Sequence, residues 1–122
     1  MNLNNFTIKS QEAIQQAFTI AQGYNHQAIE PAHLLKGILS QSENVTGFIL
    51  RKLGVNTSTF DSVLDRILES YPKVSGTEQY LSSASSRVLQ KSLEYSKEMG
   101  DQFVSIEHIL LGLLSAGDQV SQ

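Results

Sequence analysis

Residues 100–114 read Gly100-Asp101-Gln102-Phe103-Val104-Ser105-Ile106-Glu107-His108-Ile109-Leu110-Leu111-Gly112-Leu113-Leu114. Shifted by 75 residues and without a gap, the stretch Ile29-Glu30-Pro31-Ala32-His33-Leu34-Leu35-Lys36-Gly37-Ile38-Leu39 lies over its second part. Ile29 falls on Val104, His33 on His108, Leu35 on Leu110, Gly37 on Gly112, Ile38 on Leu113 and Leu39 on Leu114. The same shift further upstream sets Ile14 on Leu89 and Phe18 on Leu93. Two copies of one pattern at a fixed offset are the signature of an internal repeat, and paired positions then need equivalent environments. Ile14 and Leu89 are therefore expected to be buried together, as are Leu35 and Leu110, with the two units related by a near-twofold rotation.

Working outward, the first unit reads as short amphipathic helices. Thr7 can cap a helix whose stripe is Ala13, Ile14, Ala17, Phe18 and Ala21, stopped by Gly23. Pro31 suits the first turn of a second helix with Leu34, Leu35, Ile38 and Leu39 inward. A third has Asn44 as cap, Val45, Phe48, Ile49 and Leu53 inward, and Gly54 just past its end. A fourth, capped by Ser58 and closed by Pro72, carries Phe60, Val63, Leu64, Ile67, Leu68 and Tyr71 on one face. Residues 72–80 show no period and read as the connection. The pattern then restarts with Ala84, Val88, Leu89, Ser92, Leu93 and Ser96 up to Gly100, followed by a helix capped by Ser105 with Ile109, Leu110, Leu113 and Leu114 inward. No segment alternates with period two. The expected fold is all-α: one domain over 1–122, with repeat one at about 1–71, a linker at about 72–80 and an incomplete repeat two at about 81–122. Val120 corresponds to Val45, so the second repeat reads as truncated and the chain as a fragment.

Composition narrows the function classes. The 122 residues carry 9 basic and 12 acidic side chains, a net charge of −3, which gives no electrostatic footprint for nucleic acid or an anionic membrane. With 0 Cys there is no disulfide, thiolate nucleophile or Cys-ligated zinc, and an intracellular setting fits. The apolar run Ile109 to Leu114 is far shorter than a membrane span, and the N-terminus has no signal-peptide pattern. No Gly-x-x-x-x-Gly-Lys-Ser/Thr phosphate loop occurs, and no Gly-x-Ser-x-Gly elbow. His33 and His108 lack a second ligand at metal spacing, so they read as packing or capping groups, and His26 reads as a solvated loop residue.

The two copies of the signature resemble the N-terminal domain of Clp-type AAA+ unfoldases, a tandem of two four-helix repeats that precedes the ATPase modules. The resemblance covers essentially the whole chain. The opening Asn2-Leu3-Asn4-Asn5-Phe6-Thr7 and the Gly100-Asp101 pair look more like the disaggregase branch of that family than its protease-partner branches. It implies a non-enzymatic domain, cytoplasmic, that weakly binds exposed hydrophobic segments of unfolded or aggregated proteins. It hands them to a hexameric ATPase ring formed by the same parent chain, with a co-chaperone system as a further partner. No cofactor is implied for this piece, with ATP and magnesium belonging to the parent.

The same resemblance implies a polar cluster of Thr7, Asp101 and Glu107 on the peptide-binding surface, all three at or just before helix starts. For Thr7 and Glu107 a capping and helix-dipole role is the competing explanation. It also implies an apolar contact surface, for which the residues off the helix seams are Tyr24, Tyr80, Leu81 and Tyr95, with Leu89 at a helix edge. The alternative function is docking of a folded adaptor by a Clp protease regulatory ATPase. A small stand-alone helical enzyme is a third class.

Overall fold

A computed structural model of the chain describes residues 3–41, 51–54, 56–74 and 78–115. Among them are five helices and two two-residue strands: α1 (Ile8–Gly23), β1 (Ala28–Ile29), α2 (Pro31–Leu39), α3 (Thr57–Glu69), β2 (Tyr80–Leu81), α4 (Ser83–Glu98) and α5 (Ile106–Leu114). The fold is mostly helical, as the repeat predicts. Asn44, Val45, Phe48, Ile49 and Val120 lie outside the described residues, but the end of the expected third helix is seen: Arg51 and Lys52 are helical, and Gly54 adopts φ +76.

The bounds of α4 and α5 are those of α1 and α2 moved by 75 residues, and the caps follow. Thr7 caps α1 by accepting the Ser10 N–H, and Ser82 caps α4 by accepting the Ser85 N–H. Each unit then grips the other. Phe6 pairs in parallel with Val104 as Leu81 pairs with Ile29. The Thr7 N–H donates to the Val104 carbonyl at 2.9 Å, and the Ser82 N–H to the Ile29 carbonyl at 3.1 Å. The buried Ser10 hydroxyl donates to Val104 at 3.0 Å, and the Ser85 hydroxyl to Ile29 at 2.6 Å. Every one of these contacts is returned by its mate at the 75-residue offset, which is what a twofold relation requires. No strand is expected from the sequence, because β1 and β2 are too short to show alternation; they join the units rather than build a sheet within one.

Small residues set how closely the helices approach. A Cβ on Gly37 would run into the Ala13 carbonyl of α1, and one on Gly112 into the Val88 carbonyl of α4. Ala13 and Val88 are again 75 residues apart, so the paired glycines mark one crossing used twice. α3 lies on unit one, where Lys36 of α2 reaches Asp61 at 3.0 Å and Asp65 at 2.9 Å.

Several expectations need correction. Leu110 is half-buried although its mate Leu35 is buried, whereas Ile14 and Leu89 are both buried as expected. Leu114 is 69% exposed, Leu53 72% and Val63 46%, although periodicity placed all three inward. Asn56, not Ser58, caps α3, its side chain accepting the Thr59 N–H. Both residue types cap well, and the helix takes the earlier one. α1 ends at Gly23, but the left-handed residue of the turn is Asn25, φ 61, whose mate in unit two is Gly100, φ 72.

Candidate functional site

Thr7 is held against Val104 by its own backbone N–H, and its hydroxyl is spent on the α1 cap and on the Ser10 hydroxyl at 2.9 Å. Val104 lies midway in sequence between Asp101 and Glu107, so the structure brings Thr7 to the segment that runs from the Asp101 loop into the first turn of α5. Glu107 is exposed in the first turn of α5, where a carboxylate also favours the helix N-terminus. Exposed Ile8 and Phe103, each one residue from a member of the Thr7–Val104 contact, give this rim an apolar border.

Asp101 has a partner that the sequence did not suggest. Its Oδ2 lies 2.9 Å from Nε2 of His108, and the Nδ1 of the same ring accepts the Ser105 N–H at 2.9 Å. A backbone N–H can only donate, so Nδ1 is the unprotonated nitrogen and Nε2–H is the one that donates to Asp101. His108 is buried while the Asp101 carboxylate is 52% exposed, so this pair links the core to the rim. The capping role read for His108 is thus present, three residues past the N-cap Ser105.

Unit one repeats the arrangement with different chemistry. His33 Nδ1 accepts the Glu30 N–H at 2.8 Å, so its Nε2–H donates to His26 Nδ1 at 2.9 Å. That fixes the proton of His26 on Nε2, which is sealed from solvent and has no hydrogen-bond partner. His26 is only 3% exposed, correcting the solvated-loop expectation. The left-handed turn at Asn25 folds it back onto the helices, Tyr24 stacks on it at 5.2 Å, and Tyr71 covers it edge-on at 5.7 Å. Burial, and then the neighbouring His26 ring, press His33 down to about 4. Burial and the charge of Lys73 lower His26 as well. A cavity of about 250 Å³ adjoins this pair, lined by Glu30, Tyr71, Val74 and Tyr80 among others.

The apolar candidates scatter. Leu89 is fully buried as the mate of Ile14, which removes it from the surface on which the site was expected. Tyr80 is exposed and lines unit one's cavity, and Leu81 is half-buried beside Ile29 of β1. Tyr95 is half-buried and its hydroxyl lies 3.1 Å from that of Ser115; Tyr24 is committed to stacking on His26. No group of three or more His, Cys, Asp or Glu side chains among the described residues could hold a metal ion, and no described helix is long and apolar enough to cross a membrane.

Known proteins share this fold. The chain is 59% identical over 121 residues to the chaperone protein ClpB of Bacteroides thetaiotaomicron and 44% identical to that of Porphyromonas gingivalis, in each case over 99% of this chain but only 14% of the relative. These relatives agree with the branch read from Asn2–Thr7 and Gly100–Asp101. The crystal structure of the Hsp104 N-terminal domain from Candida albicans superposes with a TM-score of 0.85 at 22% identity, covering 97% of this chain and 85% of that one, and so shares the fold. A match to the Clp repeat (R) N-terminal domain runs over residues 5–122, and the chain belongs to that family.

Proposed function

We propose that this chain is the substrate-receiving domain of an ATP-dependent protein disaggregase, binding exposed hydrophobic segments of unfolded or aggregated proteins weakly and passing them to the ATPase ring of its parent. The observation that carries the reading is the rim where Thr7 meets the segment 101–107, the loop and the start of α5. There, exposed carboxylates of Asp101 and Glu107 are bordered by exposed Ile8 and Phe103. Apolar side chains beside hydroxyl and carboxylate groups suit an extended chain with mixed apolar and basic character. The chain spans 14% of its curated relatives, so the ring, its hexameric assembly, its ATP and magnesium and its cytoplasmic setting belong to the proposal. Weak binding fits such a ring, because several tethered copies raise the effective concentration while a tight grip would oppose release.

The test is fluorescence anisotropy with a labelled unstructured peptide that carries an apolar run and lysines. The parent chain is expected to bind it weakly and Glu107→Ala several-fold more weakly, with the melting temperature little changed because the side chain is exposed. Binding of a folded adaptor with no affinity for the peptide would favour the adaptor-docking alternative. Unchanged affinity in Glu107→Ala would remove this residue from the site.

A further inference from the structure

Asp101 is exposed enough to meet a client directly, yet one of its two carboxylate oxygens, Oδ2, is already bonded to the buried His108 ring. We propose that Asp101 is a positioning residue: it fixes His108, and through His108 the first turn of α5 that presents Glu107, without itself touching the client. The inference rests on the client-binding reading and assigns the two carboxylates of the rim different tasks.

Three observations carry it. First, the Ser105 N–H must donate to Nδ1 of His108, with the Ser105 hydroxyl 3.0 Å from the same nitrogen, so the ring serves the helix start only in its Nε2–H form. Second, that Nε2–H is buried, and Asp101 is its acceptor; without it the buried donor is unpaired or the tautomer changes, and either outcome loosens the Ser105 turn next to Glu107. Third, unit one fills the same place with an uncharged group. His26 Nδ1 accepts from His33 Nε2 at the same 2.9 Å, and the next turn is organised in the same way through Glu30. The scaffold needs an acceptor at this position and has no need of a charge.

The test separates acceptor from charge. Asp101→Asn keeps an oxygen that can accept from Nε2 and removes the charge; Asp101→Ala removes both. Asp101→Asn is expected to bind the lysine-containing peptide within about twofold of the parent, and Asp101→Ala about fivefold more weakly, the change that ~1 kcal/mol produces. In a Glu107→Ala background, Asp101→Ala should add nothing further, because its effect runs through Glu107. Nitrogen-15 spectra of His108 supply an independent readout: the Nε2–H form with a slowly exchanging proton in the parent and Asp101→Asn, and its loss in Asp101→Ala. Equal weakening by Asn and Ala overturns the proposal in favour of direct charge contact, as does normal binding by folded Asp101→Ala. If Asp101→Ala does not fold, Asp101→Asn and the parent ring signal decide. Failure of the parent to bind the peptide overturns the functional reading instead, and the ring signature then decides the positioning of His108 on its own.

Discussion

The turn between α1 and α2 and the turn between α4 and α5 are built on one plan and furnished differently. In both, a left-handed residue ends the helix turn, and the next side chain meets a histidine seven residues on whose other nitrogen accepts the N-cap backbone N–H. Unit one furnishes this plan with two buried imidazoles packed under Tyr71. Unit two furnishes it with a carboxylate at the surface and a second carboxylate one position before the histidine. Duplication thus preserved the backbone hydrogen bonds, which a fold cannot leave unpaired, and left free the side chains that do not enter them. The covered copy buries its pair in the core, while the bare copy leaves its carboxylates exposed.

The strongest way to break the equivalence is at the paired glycines. Gly37→Ala puts a methyl group against the Ala13 carbonyl, with the Ala17 backbone also near, and nothing there can rotate away. Gly112→Ala meets the Val88 carbonyl and the Ser92 hydroxyl, and the hydroxyl can turn aside. Both should destabilise, Gly37→Ala by about 3 kcal/mol or more and Gly112→Ala by less, as for other overpacked cores. Urea unfolding of the two variants checks the order, and equal stability with the parent would show that the crossings are looser than described.

The imidazole pair predicts the next largest effect, and it belongs to unit one alone. His33 titrates near 4 in the folded chain, below the ordinary 6.5, so between those values the unfolded chain takes up a proton that the folded one refuses. The stability this group contributes is complete above pH 6.5 and is lost as pH falls toward 4, by on the order of 3 kcal/mol. Denaturation at a series of pH values measures the slope. His26→Asn, which keeps an acceptor for His33 but removes one buried imidazole, should flatten it; an unchanged slope would assign the acid sensitivity elsewhere.

The sequence reading reached the shared plan more easily than the differences. The offset of 75, Pro31 at a helix start and the Thr7 and Ser105 caps are local or repeated signals, and the structure agrees with them. Burial of His26 was illegible because it depends on Tyr71, distant in sequence, and on a left-handed turn at a residue other than glycine. Leu89 carried two incompatible readings, core by its pairing with Ile14 and surface by resemblance, and packing settles it as core. Leu114 and Val63 follow the helical period, but a period describes a face and not whether anything covers it. Of the rim, Thr7 and Glu107 were legible as helix-start residues, whereas the Asp101–His108 bond needed the ring's orientation.

The finest test of the comparison uses the matching caps. Thr7 and Ser82 each accept a backbone N–H three residues on at 3.1 Å, so Thr7→Ala and Ser82→Ala should cost similar stability, about 1 kcal/mol each. They differ in their neighbours. Thr7 sits against the loop between Asp101 and Glu107, while the residues matching those two beside Ser82 are His26 and Ala32, both buried. Of the two, only Thr7→Ala is therefore expected to weaken peptide binding beyond its effect on folding. Affinity measured well below the melting temperature of both variants isolates that difference. If Ser82→Ala weakens binding as much as Thr7→Ala, the client does not distinguish the two units, and the division between a covered copy and a binding copy fails.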